Sequence, residues 1–144
     1  MPRPMASSLV RKLLFLVAVV YTLAIAVGSL IPPVGLLNQP FRFMDKLLHL
    51  GAYFGLTLLW IACWVYWQWR FFDATVKKRL KRIMLITAIL ASCYGIIIEV
   101  LQGTMTSYRT LDHWDVLANT TGVILAILLC SLFINKLERL KLDY

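Results

Sequence analysis

Four apolar stretches, at 13–31, 47–67, 83–101 and 116–134, each run for about the twenty residues that carry a helix across a bilayer, and they leave this chain little choice of fold. Lipid offers no hydrogen bonds to a bare backbone, so a segment of this kind must satisfy its own N–H and C=O groups as a helix. The sequence therefore predicts an all-α membrane protein, a four-transmembrane-helix bundle. At 60% hydrophobic residues the chain is well above the roughly 45–50% of soluble domains. In 144 residues the four spans leave short loops and no separate soluble domain, so 1–144 is read as one transmembrane domain.

The first stretch closes at Pro32 and Pro33, which remove backbone donors. The second ends in Trp64, Tyr66, Trp67 and Trp69, an aromatic run of the kind found at headgroup level. Arg11, Lys12 and the small residues Ala24 and Ala26 imitate a secretory signal peptide, but the apolar run continues to Ile31, beyond the roughly 7–15 residues of a signal core, and is predicted to remain as a span.

Charge sets the expected orientation. Of the 15 Lys and Arg, twelve lie in the N-terminal tail, the middle loop (Arg70 and Lys77 to Arg82) and the C-terminal tail. Only Arg42, Lys46 and Arg109 fall in the other two loops, and the positive-inside rule then places both termini in the cytoplasm of a bacterial inner membrane. The net charge of +8 is spread in short clusters beside apolar runs, a pattern suited to membrane lipids as partners and not to nucleic acid. Cys63, Cys93 and Cys130 lie inside apolar segments without metal-ligand or disulfide spacing, so they are read as packing residues, and no metal or cofactor is expected.

In that topology the polar side chains gather at the outer face. Asp45, Lys46, His49 and Tyr53 open helix 2, Glu99 and Gln102 close helix 3, and Asp112, Asp115 and Asn119 open helix 4, with Arg109 in the loop before it. Asp45, His49 and Tyr53 recur at four-residue steps, and Asp112, Asp115, Asn119, Gly122 and Ala126 at three- and four-residue steps, so each set forms a stripe. Gly51, Ala52, Gly55, Gly95, Gly122 and Ala126 are small enough for close helix approach. Glu99 sits within its span, where an acid costs up to about 2.5–3.5 kcal/mol and needs a partner. Arg109 is the first expectation for that partner and His49 the second. Simple capping competes at Asp112, Asp115 and Asp45, because a carboxylate at a helix start satisfies free amides and favours the dipole.

The strings Asp45-Lys46-x-x-His49-x-x-x-Tyr53, Glu99-x-x-Gln102 and Arg109-x-x-Asp112-x-x-Asp115-x-x-Ala118-Asn119-x-x-Gly122, in this order and beside spans, resemble the signature of VanZ-like membrane proteins. The resemblance runs from about Ser29 to Gly122; Ala126 stands where a second glycine is often found, and the loop from Gly103 to Tyr108 lacks the proline and glycine often seen before the arginine. It implies a small multi-span membrane protein, in some members linked to resistance against glycopeptide antibiotics that bind cell-wall precursors, and it implies no reaction.

Three functions are open to such a chain. A non-enzymatic protein would bind an envelope component, a lipid-linked precursor or phospholipid headgroup, with Arg109 on phosphate or carboxylate and Glu99, Gln102 and Asn119 orienting it. An outer-leaflet enzyme would use His49 as general acid or base with Asp45 or Glu99, or a divalent ion held by His49, Glu99, Asp112 and Asp115. The absence of a compact metal motif, nucleophile elbow or phosphate loop puts the binding reading ahead. A transport route would need a second copy of the chain, since the polar groups occupy one end only, which keeps a homo-oligomer among the expected partners.

Overall fold

In the computed structural model, which describes residues 5–31, 42–68, 76–105 and 112–142, four helices follow one another: α1 (Met5–Leu30), α2 (Arg42–Gln68), α3 (Val76–Met105) and α4 (His113–Leu142). Each contains a segment long and apolar enough to cross a membrane, so the chain is a multi-pass transmembrane protein. The helices outrun the apolar cores that announce them. α3 begins at Val76 and not at 83, taking in Lys77 to Arg82, and α4 continues to Leu142. Hydropathy marks what lies in hydrocarbon, whereas the i to i−4 hydrogen bonds continue into the polar flanks.

The bundle runs up and down. α2 and α4 start at the same end, beside the end of α3, so they are parallel to each other and antiparallel to α3. α2 packs most extensively on α4. Gly122 is the reason for that closeness: a Cβ there would overlap the carbonyl oxygen of Leu50 and come within 3.0 Å of the Phe54 nitrogen, so α4 lies directly on the backbone of α2. Ala126, one turn on, is fully buried, and Gly95 makes room for the Tyr53 ring. Gly51 does not join this small-residue seam, because a Cβ there would meet nothing within 4 Å. Below the seam Tyr53, Leu56, Ala91 and Val123 form the buried core.

α1 is the least enclosed helix and is held by polar ties from its neighbours. The Tyr21 hydroxyl donates to the Ala52 carbonyl at 3.3 Å, Trp60 Nε1 to Thr22 Oγ1 at 3.1 Å, and the Tyr94 hydroxyl to the Thr22 carbonyl at 2.6 Å. Leu9, Leu13, Leu16, Val20, Leu23 and Val27 face outward, as a lipid-contacting surface requires. Thr22, Thr57, Thr120, Thr121 and Ser131 return their hydroxyls to the carbonyl one turn earlier, which lets them sit in apolar surroundings. Cys63 is buried, Cys93 exposed and Cys130 half-buried, all as free thiols.

Candidate functional site

At the end where α2 and α4 begin and α3 finishes, three helices pool their polar side chains. His49 is 8% exposed, Asp115 4%, and Glu99, Gln102 and Asn119 only 1% each. A helix end this rich in buried ionisable groups is costly in a membrane unless the groups satisfy one another.

The largest charge relationship belongs to Lys46. Its ammonium reaches from α2 to α4, meets Asp112 Oδ2 at 2.6 Å and also pairs with Asp115 Oδ1; Asp45 Oδ2 lies at 3.8 Å. The parallel course of α2 and α4 makes this geometry available, since two first turns sit side by side. It also juxtaposes two positive dipole ends, which Asp45, Asp112 and Asp115 offset. Lys46 supplies the counter-charge of Asp112 and Asp115; Arg109, the first expectation as partner of Glu99, lies outside the described residues.

A second chain of contacts lies deeper. His49 Nδ1 is 3.1 Å from Asn119 Oδ1 and 3.5 Å from Glu99 Oε1, while Asn119 Nδ2 donates to Glu99 Oε1 at 3.3 Å. Both neighbours of Nδ1 are acceptors, so Nδ1 carries the proton and donates. Nε2 then faces the carboxylates, 3.9 Å from Asp115 Oδ2 and 4.0 Å from Asp45 Oδ1. His49 thus joins Glu99, as the second of the two expected partners, and links the deep amide network to the shallower ion pairs.

Capping holds at one position and fails at another. The Trp114 amide donates to Asp112 Oδ1 at 2.9 Å, immediately before α4, as an N-cap should. The Lys46 ammonium, and after it this amide, hold the Asp112 carboxyl below its ordinary range. Asp45 is no cap, because α2 has already begun at Arg42 and Asp45 stands within its first turn.

Two expected members are placed apart from the ion pairs. Gln102 Nε2 donates to the Ser29 carbonyl at 2.8 Å, tying α3 to α1. Tyr53 is 1% exposed beneath His49, and its hydroxyl has no hydrogen-bond partner among the described residues. Its ring lies against Gly95, as does Asn119 Nδ2. Sequence reasoning counted Lys46 among the site residues without seeing its role; the signal was its place one residue after Asp45 on a helix that starts beside α4.

Asp45, His49 and Asp115 each offer a ligand atom within 4.8 Å of the others, a separation a divalent ion could bridge. Lys46 already pairs with Asp115 there, so an ion would have to displace or share that carboxylate. The described cluster carries four of the chain's seven acids against Lys46 and His49, which makes it a better acceptor of ammonium, amide or hydroxyl donors than of anions.

Comparison with curated proteins gives no match, and comparison with solved structures gives none either. A family model described as VanZ/LLP1 matches residues 6–134. That match takes in all three helix ends that build the polar cluster, and the chain belongs to the VanZ/LLP1 family.

Proposed function

We propose that this protein lies in a bacterial inner membrane with both termini in the cytoplasm, and that its polar end faces outward to bind the headgroup of an envelope component, a phospholipid or a lipid-linked precursor. The distribution of Lys and Arg, twelve against three, supports the orientation. The observation that carries the binding reading is the convergence of His49, Glu99, Asp115 and Asn119, all buried, from three helices onto one end of the bundle. A fold needing only stability has no use for so many desolvated polar groups at one place, because apolar packing there would cost less.

The chemistry of the cluster indicates how a headgroup would be held. Its carboxylates accept from hydroxyl, amide or ammonium donors. The Tyr53 hydroxyl, lacking a partner among the described residues, is suited to a polar atom of the bound group. Phosphate would be engaged through Arg109, because Lys46 is already paired with Asp112 and Asp115.

Purification of the protein from bacterial membranes in mild detergent, followed by mass spectrometry of the co-purifying lipids, tests this. Wild type is expected to retain one polar lipid above its bulk abundance and the folded Asn119→Leu variant to lose it. Tyr53→Phe removes only a hydroxyl, so it is expected to weaken retention while leaving thermal stability within about 1 kcal/mol. The same lipid profile in wild type and both variants would defeat the proposal.

A second reading rests on the 4.8 Å grouping of Asp45, His49 and Asp115: an outer-leaflet enzyme in which these residues hold a divalent ion and His49 and Glu99 are the catalytic candidates. Metal analysis of the purified protein, with turnover assays on His49→Ala, separates it from binding alone.

A further inference from the structure

The end of the bundle opposite the polar cluster carries a different kind of site. Where α2 finishes and α3 begins, a cavity of about 360 Å³ is lined by Trp64, Arg79, Arg82, Ile83 and Ile86. Two arginines and a tryptophan give this lining its polar groups, and two isoleucines add apolar surface. Trp64 and Ile86, each 43% exposed within candidate spans, leave the cavity open at the surface of the bundle. α2 has no acid after Asp45 and α3 none before Glu99, both of which belong to the far end.

A second contact shows that this end favours cations over aromatic faces. Arg11, near the start of α1, lies with its guanidinium carbon 5.8 Å from the centre of the Trp67 ring. Arg79 and Arg82 present planar donor forks that match phosphate oxygens in a way that lysine does not. The aromatic edge of Trp64 belongs at the depth where headgroup meets hydrocarbon. The Ile83 and Ile86 wall, one turn further into the span, lies where an acyl chain would run.

We infer that this cavity is a specific site for an anionic phospholipid, whose phosphate engages Arg79 and Arg82 beside Trp64 and whose acyl chain lies along Ile83 and Ile86. This differs from the general attraction of basic loops to anionic membranes. Lys77, Lys78 and Lys81 supply that attraction without lining the cavity. The site is also separate from the polar cluster, and its presence or absence does not depend on what the cluster binds.

The test uses the full chain in a nonionic detergent, titrated with phosphatidylglycerol or with phosphatidylcholine of the same acyl chains and read by native mass spectrometry. Wild type is expected to prefer phosphatidylglycerol by roughly tenfold or more, the order that two arginines near a headgroup supply. Arg79→Gln with Arg82→Gln is expected to abolish the preference, and Arg82→Gln alone to reduce it by about fivefold, which keeps the test open if the double variant does not fold. Lys78→Gln with Lys81→Gln removes the same charge outside the cavity and is expected to leave the preference within about twofold of wild type. An equal loss in the lysine and arginine pairs would overturn the proposal in favour of diffuse attraction. So would the absence of any preference in wild type, or displacement of the lipid by millimolar inorganic phosphate.

Discussion

The Lys46 ammonium lies 2.6 Å from Asp112 Oδ2 and also pairs with Asp115, so a single cation on α2 closes the first turn of α4. The consequence follows from burial. Asp115 is 4% exposed, and without Lys46 its buried charge would be left near Asp45 and His49, with no ammonium to offset it. Breaking a buried ion pair costs about 3–5 kcal/mol, and the partial exposure of Lys46 places Lys46→Met lower, at about 2–3 kcal/mol. That exceeds the average of about 0.6 kcal/mol for one interhelical hydrogen bond in a membrane. Reversible unfolding in mixed micelles measures it. Adding Asp115→Asn to Lys46→Met is expected to recover most of the loss, because the stranded charge disappears with its partner.

Acid should unload the same contact in a definite direction. Asp112 has its carboxyl held below the ordinary value of 3.8, first by Lys46 and then by the Trp114 amide. A group whose folded value is depressed contributes fully above the unfolded value, and the contribution is lost as pH falls through the folded one. The stability difference between wild type and Asp112→Asn is therefore expected to be constant near neutrality and to shrink only below about pH 3.8. Carbon-13 titration of the Asp112 carboxyl checks this site directly, and Lys46→Met should move its midpoint upward.

Two glycines on the facing helices should respond oppositely to alanine. At Gly122 the added carbon would meet backbone atoms of Leu50 and Phe54, which cannot rotate away, so α4 must retreat from α2. The expected cost is about 1–3 kcal/mol. The retreat would also stretch the contacts of Lys46 with Asp115 and of His49 with Asn119. Gly51→Ala meets nothing within 4 Å and should be neutral, or stabilising by up to about 1 kcal/mol from helix propensity alone. Thermal unfolding of both variants in one detergent makes the comparison.

Those two glycines also show where sequence reading reaches its limit. Helix number and span positions were legible because lipid imposes one rule on every apolar run of sufficient length. The spacing of Asp112, Asp115, Asn119, Gly122 and Ala126 was enough to foresee one shared face; the last four are buried, and Asp112, just before the helix, is half-buried. Gly51 carries the same small side chain, but its direction depends on the rotation of α2 about its axis, which packing against α4 decides. Lys46 was hidden for a related reason: its partners lie 66 and 69 residues away, and only the lateral pairing of α2 with α4 brings them together. Hydropathy fixes how many helices cross but not which are neighbours.

Topological labelling tests most directly the claim that the polar cluster opens to the outside of the cell. Trp114, 68% exposed beside Asp115, and Lys78, exposed on the first turn of α3, mark the two ends of the bundle. In a background with Cys63, Cys93 and Cys130 replaced, Trp114→Cys should react with an impermeant maleimide on intact spheroplasts. Lys78→Cys should react only after permeabilisation. Labelling of Lys78→Cys from outside, with Trp114→Cys protected until the membrane is opened, would contradict the account.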